Sequence, residues 1–266
     1  MVFWKGKLSL KNDLLMKIIK NSYMELLVCS YLGDRKEQQD AVFSSLIRDQ
    51  AVAIVADGMG GLENGKCASN TAVRTLKELL DANPRKENMQ EFYFNAINKI
   101  DSAVYGARQG SSKSGTTLVS ATVTGDRVDW LSIGDSRLYL IRDNEIIQLT
   151  KDHTLKNYIE RNKDNPEILA SLGPIDEMKL DALTSYVGMD GVSFYDINVK
   201  KYEVKQGDYI LLTSDGLYKG LEDSEIRDII INESDMKEMG NKLLDNVKDV
   251  CAGVQDNTSF ILIRIL

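Results

Sequence analysis

Three apolar runs in this chain end in a small residue followed by aspartate. They are Val52-Ala53-Ile54-Val55-Ala56-Asp57-Gly58, Trp130-Leu131-Ser132-Ile133-Gly134-Asp135-Ser136 and Ile210-Leu211-Leu212-Thr213-Ser214-Asp215-Gly216; a fourth aspartate, Asp256, stands just before the apolar C-terminal run. A carboxylate at the end of a buried strand is costly to leave unpaired, and strand ends can converge on one site. A single Asp-Gly is ordinarily a turn. Four such aspartates point instead to bound cations, and all-oxygen ligation suits Mg²⁺ or Mn²⁺ rather than Zn²⁺. The one histidine, His153, cannot build a zinc cluster. Two hard cations side by side activate a water and clamp the oxygens of an in-line displacement at phosphorus, which is the chemistry of phosphoester hydrolysis. Arg35, in Gly33-Asp34-Arg35, is the candidate to grip the phosphoryl oxygens. Taken alone, it would be an ordinary surface arginine.

The elements that must position these residues follow from the apolar pattern. Strands are expected over residues 26–31, 51–56, 117–124, 127–133, 137–142, 209–213 and 259–266. Gly125-Asp126 lies between two of them and Asp143-Asn144 follows another, short polar pairs that suit tight hairpins. Three helical stripes accompany them: Ala68, Ala72, Leu76 and Leu79; Phe92, Ala96, Ile100 and Val104; and Met239, Leu243, Val247 and Val250. Each reads as a core-facing stripe. Strands, a helix pair, a meander, then a helix before the last strand predict an α+β fold with helices outside antiparallel sheets.

Composition bounds the rest. The 266 residues, 43% hydrophobic, suffice for a sizeable core, and three prolines with no internal repeat mark no linker between Met24 and Leu266. Residues 24–266 are therefore read as one domain and residues 1–23 as an N-terminal extension. That extension sets Phe3, Trp4, Leu14, Leu15, Ile18 and Ile19 beside Lys5, Lys7, Lys11, Lys17 and Lys20. It reads as a helical appendage, with contact to a membrane surface or a partner as the alternative. A formal charge of −7 argues against nucleic acid as a partner. Three scattered cysteines, no apolar stretch of membrane-spanning length and no signal-peptide pattern predict a cytoplasmic protein.

The ordered set of motifs resembles the metal-dependent protein phosphatases, the type 2C Ser/Thr phosphatases, in their bacterial form. The series runs Gly33-Asp34-Arg35, Gln38-Gln39-Asp40, Asp57-Gly58-Met59-Gly60-Gly61 with Gly65 and Ala68-Ser69, then Ser114-Gly115-Thr116-Thr117 and Gly134-Asp135-Ser136-Arg137. It closes with Leu149-Thr150-Lys151-Asp152-His153, Ser214-Asp215-Gly216-Leu217 and Asp256-Asn257. The resemblance implies a central sandwich of two antiparallel β-sheets flanked by α-helices, with a binuclear Mn²⁺ or Mg²⁺ centre at one end. It implies that Asp57 bridges both ions, that the Gly58 carbonyl binds one, and that Asp215 and Asp256 bind the other. Asp135, sharing with Asp215, would hold a third ion; Arg35 would bind the substrate phosphate, and Asp40 would orient a water or Arg35. The implied activity is hydrolysis of phosphoserine and phosphothreonine in proteins that are clients of a Ser/Thr kinase, by a monomer.

Two positions depart from the family pattern. Gln39 stands where relatives commonly carry Glu, weakening the anionic surroundings of the second ion, and Met59 stands where some carry a proton-donating His. His153 reads as structural, Thr116 and Thr117 as either strand formers or site residues, and residues 157–195 as the flap over the substrate groove, where client choice is made. Two other functions compete. A pseudophosphatase acting as a binding module is favoured only by Gln39, and a two-metal nuclease is disfavoured by the acidic balance.

Overall fold

The computed structural model describes residues 14–60, 62–108, 114–174 and 176–266. In chain order the elements are β1 (Leu14–Lys20), β2 (Met24–Tyr31), β3 (Asp40–Ile47), β4 (Gln50–Met59), α1 (Leu62–Asp81), α2 (Met89–Gly106), β5 (Gly115–Thr116), β6 (Leu118–Thr124), β7 (Arg127–Ile133), β8 (Arg137–Arg142) and β9 (Glu145–Gln148). There follow α3 (Leu155–Arg161), α4 (Pro166–Ser171), β10 (Asp196–Ile197), β11 (Tyr202–Glu203), β12 (Tyr209–Thr213), α5 (Asp215–Tyr218), α6 (Asp223–Asn232), α7 (Met236–Val250) and β13 (Thr258–Ile265).

Two antiparallel sheets face one another. The first runs β1-β2-β13-β12-β8-β9; the second runs β10-β7-β6-β4-β3, with β11 also on β7 and β5 on the end of β4. The central strands read as continuous apolar runs because both faces are covered. Along β13, Ile261 and Ile263 point between the sheets while Phe260 and Leu262 pack under α6 and α7. On the second sheet, Ala53 and Val55 face inward while Val52 and Ile54 meet α1 and α2. The result is a helix–sheet–sheet–helix sandwich, as the resemblance implied.

The three helical stripes fall where expected, except that Leu79 and Phe92 are only partly buried and Val250 is 66% exposed. Both hairpin turns form, with Gly125, Asp143 and Asn144 at positive φ as tight turns require. The helical reading of the N-terminal segment is corrected over residues 14–20. These pair in full register with β2, from Leu14 opposite Tyr31 to Lys20 opposite Glu25, so the boundary drawn at residue 24 falls inside a hairpin. Leu14 and Met16 pack toward α7 as alternate residues of a strand do, and Leu15 stays about half exposed. Phe3, Trp4, Lys5, Lys7 and Lys11 lie outside the described residues. The segment expected to be a flap carries α3 and α4 and a 3₁₀ turn at Glu177–Lys179.

Candidate metal centre

The strand order brings the aspartates together. Asp57 lies near the C-terminal end of β4 and is paired in register with Asp40, which opens β3. Two carboxylates directly opposite on adjacent strands repel, so this pairing is unfavourable unless something positive lies between them. Asp135 and Asp215 each stand two residues past the ends of β7 and β12, and Asp256 stands two residues before β13. All four predicted metal aspartates, with Gly58 and Arg35, line one cleft of about 520 Å³.

Backbone hydrogen bonds fix Asp57. Its N–H donates to Thr117 Oγ1 at 2.9 Å, and its carbonyl accepts from Thr116 Oγ1 at 2.8 Å and from the Thr117 N–H at 2.9 Å. The two threonines are therefore site-building residues as well as strand formers. A Cβ on Gly58 would run into the Gly65 and Gln39 carbonyls, which is why the turn needs glycine. Gln39 acts through its backbone: its N–H donates to Asn257 Oδ1 at 2.8 Å and its carbonyl accepts from Ser69 Oγ and from the Gly58 N–H. The feature that alone favoured a degenerate site thus sits at a position whose main chain ties β4, α1 and the Asp256-Asn257 turn together.

The carboxylates crowd electrostatically. Burial, then the charges of Asp40, Asp215 and Asp135, hold the Asp57 carboxyl well above the usual carboxylate range. Burial pushes Asp40 up to about 7, with Ser214 Oγ donating to its Oδ2 at 2.9 Å as partial compensation. Burial and the charge of Asp215 push Asp135 up to about 6. Asp40 Oδ1 and Asp215 Oδ1 are buried with no hydrogen-bond partner among the described residues. Orphaned buried oxygens amid like charges, in an all-carboxylate and carbonyl donor set, fit hard divalent cations.

Two side-chain cations already reach the cluster. Arg35 Nη2 lies 2.6 Å from Asp256 Oδ2, and Lys219 Nζ lies 2.6 Å from Asp215 Oδ2. Among the described residues no three carboxylate, imidazole or thiol groups stand as a closed ligand set. These two pairs offset part of the carboxylate charge and leave Asp215 Oδ1 without a partner among the described residues. Sequence reasoning missed Lys219, Asp181, Tyr186 and Lys36, which also line the cleft.

His153 is buried, and its Nδ1 accepts from the Gly134 N–H at 3.0 Å, one residue before Asp135. Burial lowers its pKa, so the neutral ring serves as an acceptor. Its carbonyl accepts from the Thr184 N–H and hydroxyl, tying the Asp135 turn to the segment over the cleft. The structural role expected from the sequence is the one these bonds describe.

Comparison with known proteins agrees with the geometry. The chain is 29% identical over 226 residues to the serine/threonine phosphatase Stp of Listeria welshimeri, spanning 81% of this chain and 85% of that one. It is 29% identical over 259 residues to the protein phosphatase PhpP of Streptococcus pneumoniae, spanning 91% and 98%. The catalytic domain of the phosphatase PstP, solved in complex with two manganese ions, shares the fold at a TM-score of 0.72 and 24% identity, over 92% of this chain and 99% of that one. The family model described as Protein phosphatase 2C matches residues 31–252, and the chain belongs to that family.

Proposed function

We propose that the cleft hydrolyses phosphoserine and phosphothreonine monoesters of proteins, with Asp57, the Gly58 carbonyl, Asp215 and Asp256 holding two divalent ions. As a protein phosphatase 2C the chain is a metal-dependent protein serine/threonine phosphatase. The observation that carries the site assignment is the convergence of Asp57, Asp135, Asp215 and Asp256 on one cleft, with buried carboxylate oxygens lacking any partner among the described residues. When bound, Mn²⁺ or Mg²⁺ supplies Lewis acidity toward the phosphoryl oxygens and lowers the pKa of the attacking water.

The chain's own residues do the rest. Thr116 and Thr117 fix the Asp57 backbone, and Ser214 holds Asp40 across from it. Arg35, raised in pKa by its hydrogen bond and charge pairing with Asp256, stays cationic throughout the working range. Asp256 engages one of its nitrogens, which orients the guanidinium and leaves other N–H groups for the phosphoryl oxygens. Met59 has no proton to give, so protonation of the leaving alcohol falls to solvent.

Phosphoproteins made by a Ser/Thr kinase are the natural clients, and Arg35 with Lys36 at the cleft supports an anionic substrate. The net charge of −7 speaks against nucleic acid. Three unpaired cysteines support a reducing, cytoplasmic setting. The large exposed hydrophobics, among them Ile47, Met178, Val199 and Val254, are scattered over separate elements, which supports a monomer. Among the described residues no helix is long and apolar enough to cross a membrane. The test is phosphate release from a phosphothreonine peptide with Mn²⁺, against EDTA and Asp215→Asn controls. Release that persists in both controls, or none with folded protein across Mn²⁺ and Mg²⁺ titrations, would sink the assignment.

A further inference from the structure

Asp215 opens the single helical turn α5, and Lys219 follows that turn directly, four positions on and on the same face. The two oxygens of Asp215 meet different surroundings. Oδ2 faces the Lys219 ammonium at 2.6 Å, while Oδ1 is buried without a hydrogen-bond partner among the described residues. Asp135, Asp181 and Lys219 line the same two adjoining clefts, the first of which also holds Asp215.

The backbone that carries Lys219 is pinned in place. The Tyr218 hydroxyl donates to the Asp135 carbonyl at 3.0 Å, so α5 is pinned to the turn that carries Asp135. The Arg137 guanidinium lies 3.6 Å from the centroid of the Tyr218 ring and makes a forked pair with Asp152. The tether from Asp215 to Lys219 is thus one turn long and backed by a stacked, ion-paired platform. Lys219 is 51% exposed and Asp215 15%, so solvent screens the pair in part.

The family resemblance assigns the space between Asp135 and Asp215 to a third divalent ion. A divalent cation arriving there must displace the ammonium from Oδ2 or sit against a like charge. We propose that Lys219 is a built-in cation that takes the place of the third ion between Asp135 and Asp215, leaving Asp215 Oδ1 to a two-ion centre. This rests on the two-ion reading above, and the two fail differently. The lysine makes charge neutralisation at Asp135 independent of free metal concentration.

Equilibrium dialysis of the full chain against Mn²⁺, with metal counted per chain, tests this without any activity measurement. The wild type should saturate at two ions. Lys219→Gln should admit a third, at least about tenfold tighter than any third ion in the wild type, and Lys219→Arg should behave as the wild type. Adding Asp135→Asn to Lys219→Gln should remove the third ion again. A wild type that takes up three ions, or a folded Lys219→Gln that still takes two, overturns the proposal. Should Lys219→Gln fail to fold by circular dichroism, Asp135→Asn alone decides it. An unchanged count of two supports the lysine, and loss of one ion from three refutes it. A chain that binds no Mn²⁺ at all sinks the metal centre itself.

Discussion

Strand β12 carries an aspartate at each end, and the two are buried in opposite ways. Asp208, just before the strand, is 1% exposed and sits in a complete set of donors: Arg142 Nε at 2.8 Å, Arg142 Nη2 at 2.5 Å and the Lys205 N–H at 2.7 Å. Asp215, two residues past the other end, has a lysine on one oxygen and no hydrogen bond on the other, and it faces Asp57, Asp40 and Asp135. The chain thus places the same residue type seven positions apart, once as a satisfied structural anchor and once amid like charge. Burial alone does not mark a site. The informative feature is a buried carboxylate whose neighbours repel it, because such an arrangement persists only if a cation belongs there.

The most severe test sets the two ends against each other. Asp215→Asn should lower phosphopeptide hydrolysis by about 10³-fold or more, with no loss of stability in EDTA because one of several mutually repelling charges is gone. Asp208→Asn should do the reverse. It leaves Arg142 with a poorer partner and should cost about 2–3 kcal/mol in urea unfolding, while kcat stays within about threefold of wild type. Equal destabilisation by both substitutions would break the comparison.

A smaller effect is expected at Arg35. Its pair with Asp256 is largely solvent-exposed, at 60% and 41% of the two side chains, so Arg35→Ala should change stability by no more than about 1 kcal/mol. The same substitution should lower kcat/KM by about 10²-fold, and Arg35→Lys should restore only part of it, because a point charge cannot make the forked contact. Full rescue by lysine would reduce Arg35 to a general electrostatic role.

The core strands and the metal aspartates were legible for one reason. A strand covered on both faces writes an unbroken apolar run, and an aspartate at its end interrupts that run visibly, as in β4, β7 and β12. The edge strands were not legible in the same way. β3 carries Ser44 and Ser45 in its middle, and β1 carries Lys17 and Lys20, since each has an open side and a half-exposed surface. Thr116 and Thr117 gain their role only from the pairing of β5 with β4, which no local pattern announces. Lys219 was readable as the i+4 partner of Asp215 only once the four-residue α5 was known. One missed residue did leave a signal. Asp101 interrupts the apolar face of α2 between Ile97, Ile100 and Val104, and in the structure its carboxylate accepts the N–H groups of Gly188 at 2.6 Å, Met189 at 3.1 Å and Gly191 at 2.7 Å. It anchors the end of the segment over the cleft, and a charge on a core-facing helix position was the clue.

The smallest expected effect is thermal, and its sign distinguishes the two ends of β12. Asp40 near 7, Asp135 near 6 and Asp57 well above the usual range all lie above the roughly 3.9 of an unfolded aspartate. Between those limits the metal-free folded chain binds more protons than the unfolded chain, so the stability these groups contribute is present at about pH 4 and below and is lost as pH rises through 6 to 7. Divalent ions require the ionised carboxylates, so their stabilisation grows over the same window. The gap in Tm between Mn²⁺ and EDTA should therefore widen from about pH 5.5 to 8, by on the order of 2 kcal/mol, or several degrees. Asp208→Asn should lower both curves together and leave the gap unchanged, whereas Asp135→Asn should flatten the EDTA curve. A gap that stays constant with pH would mean that Arg35 and Lys219 already neutralise the cluster, and the contrast between Asp215 and Asp208 would then be one of degree.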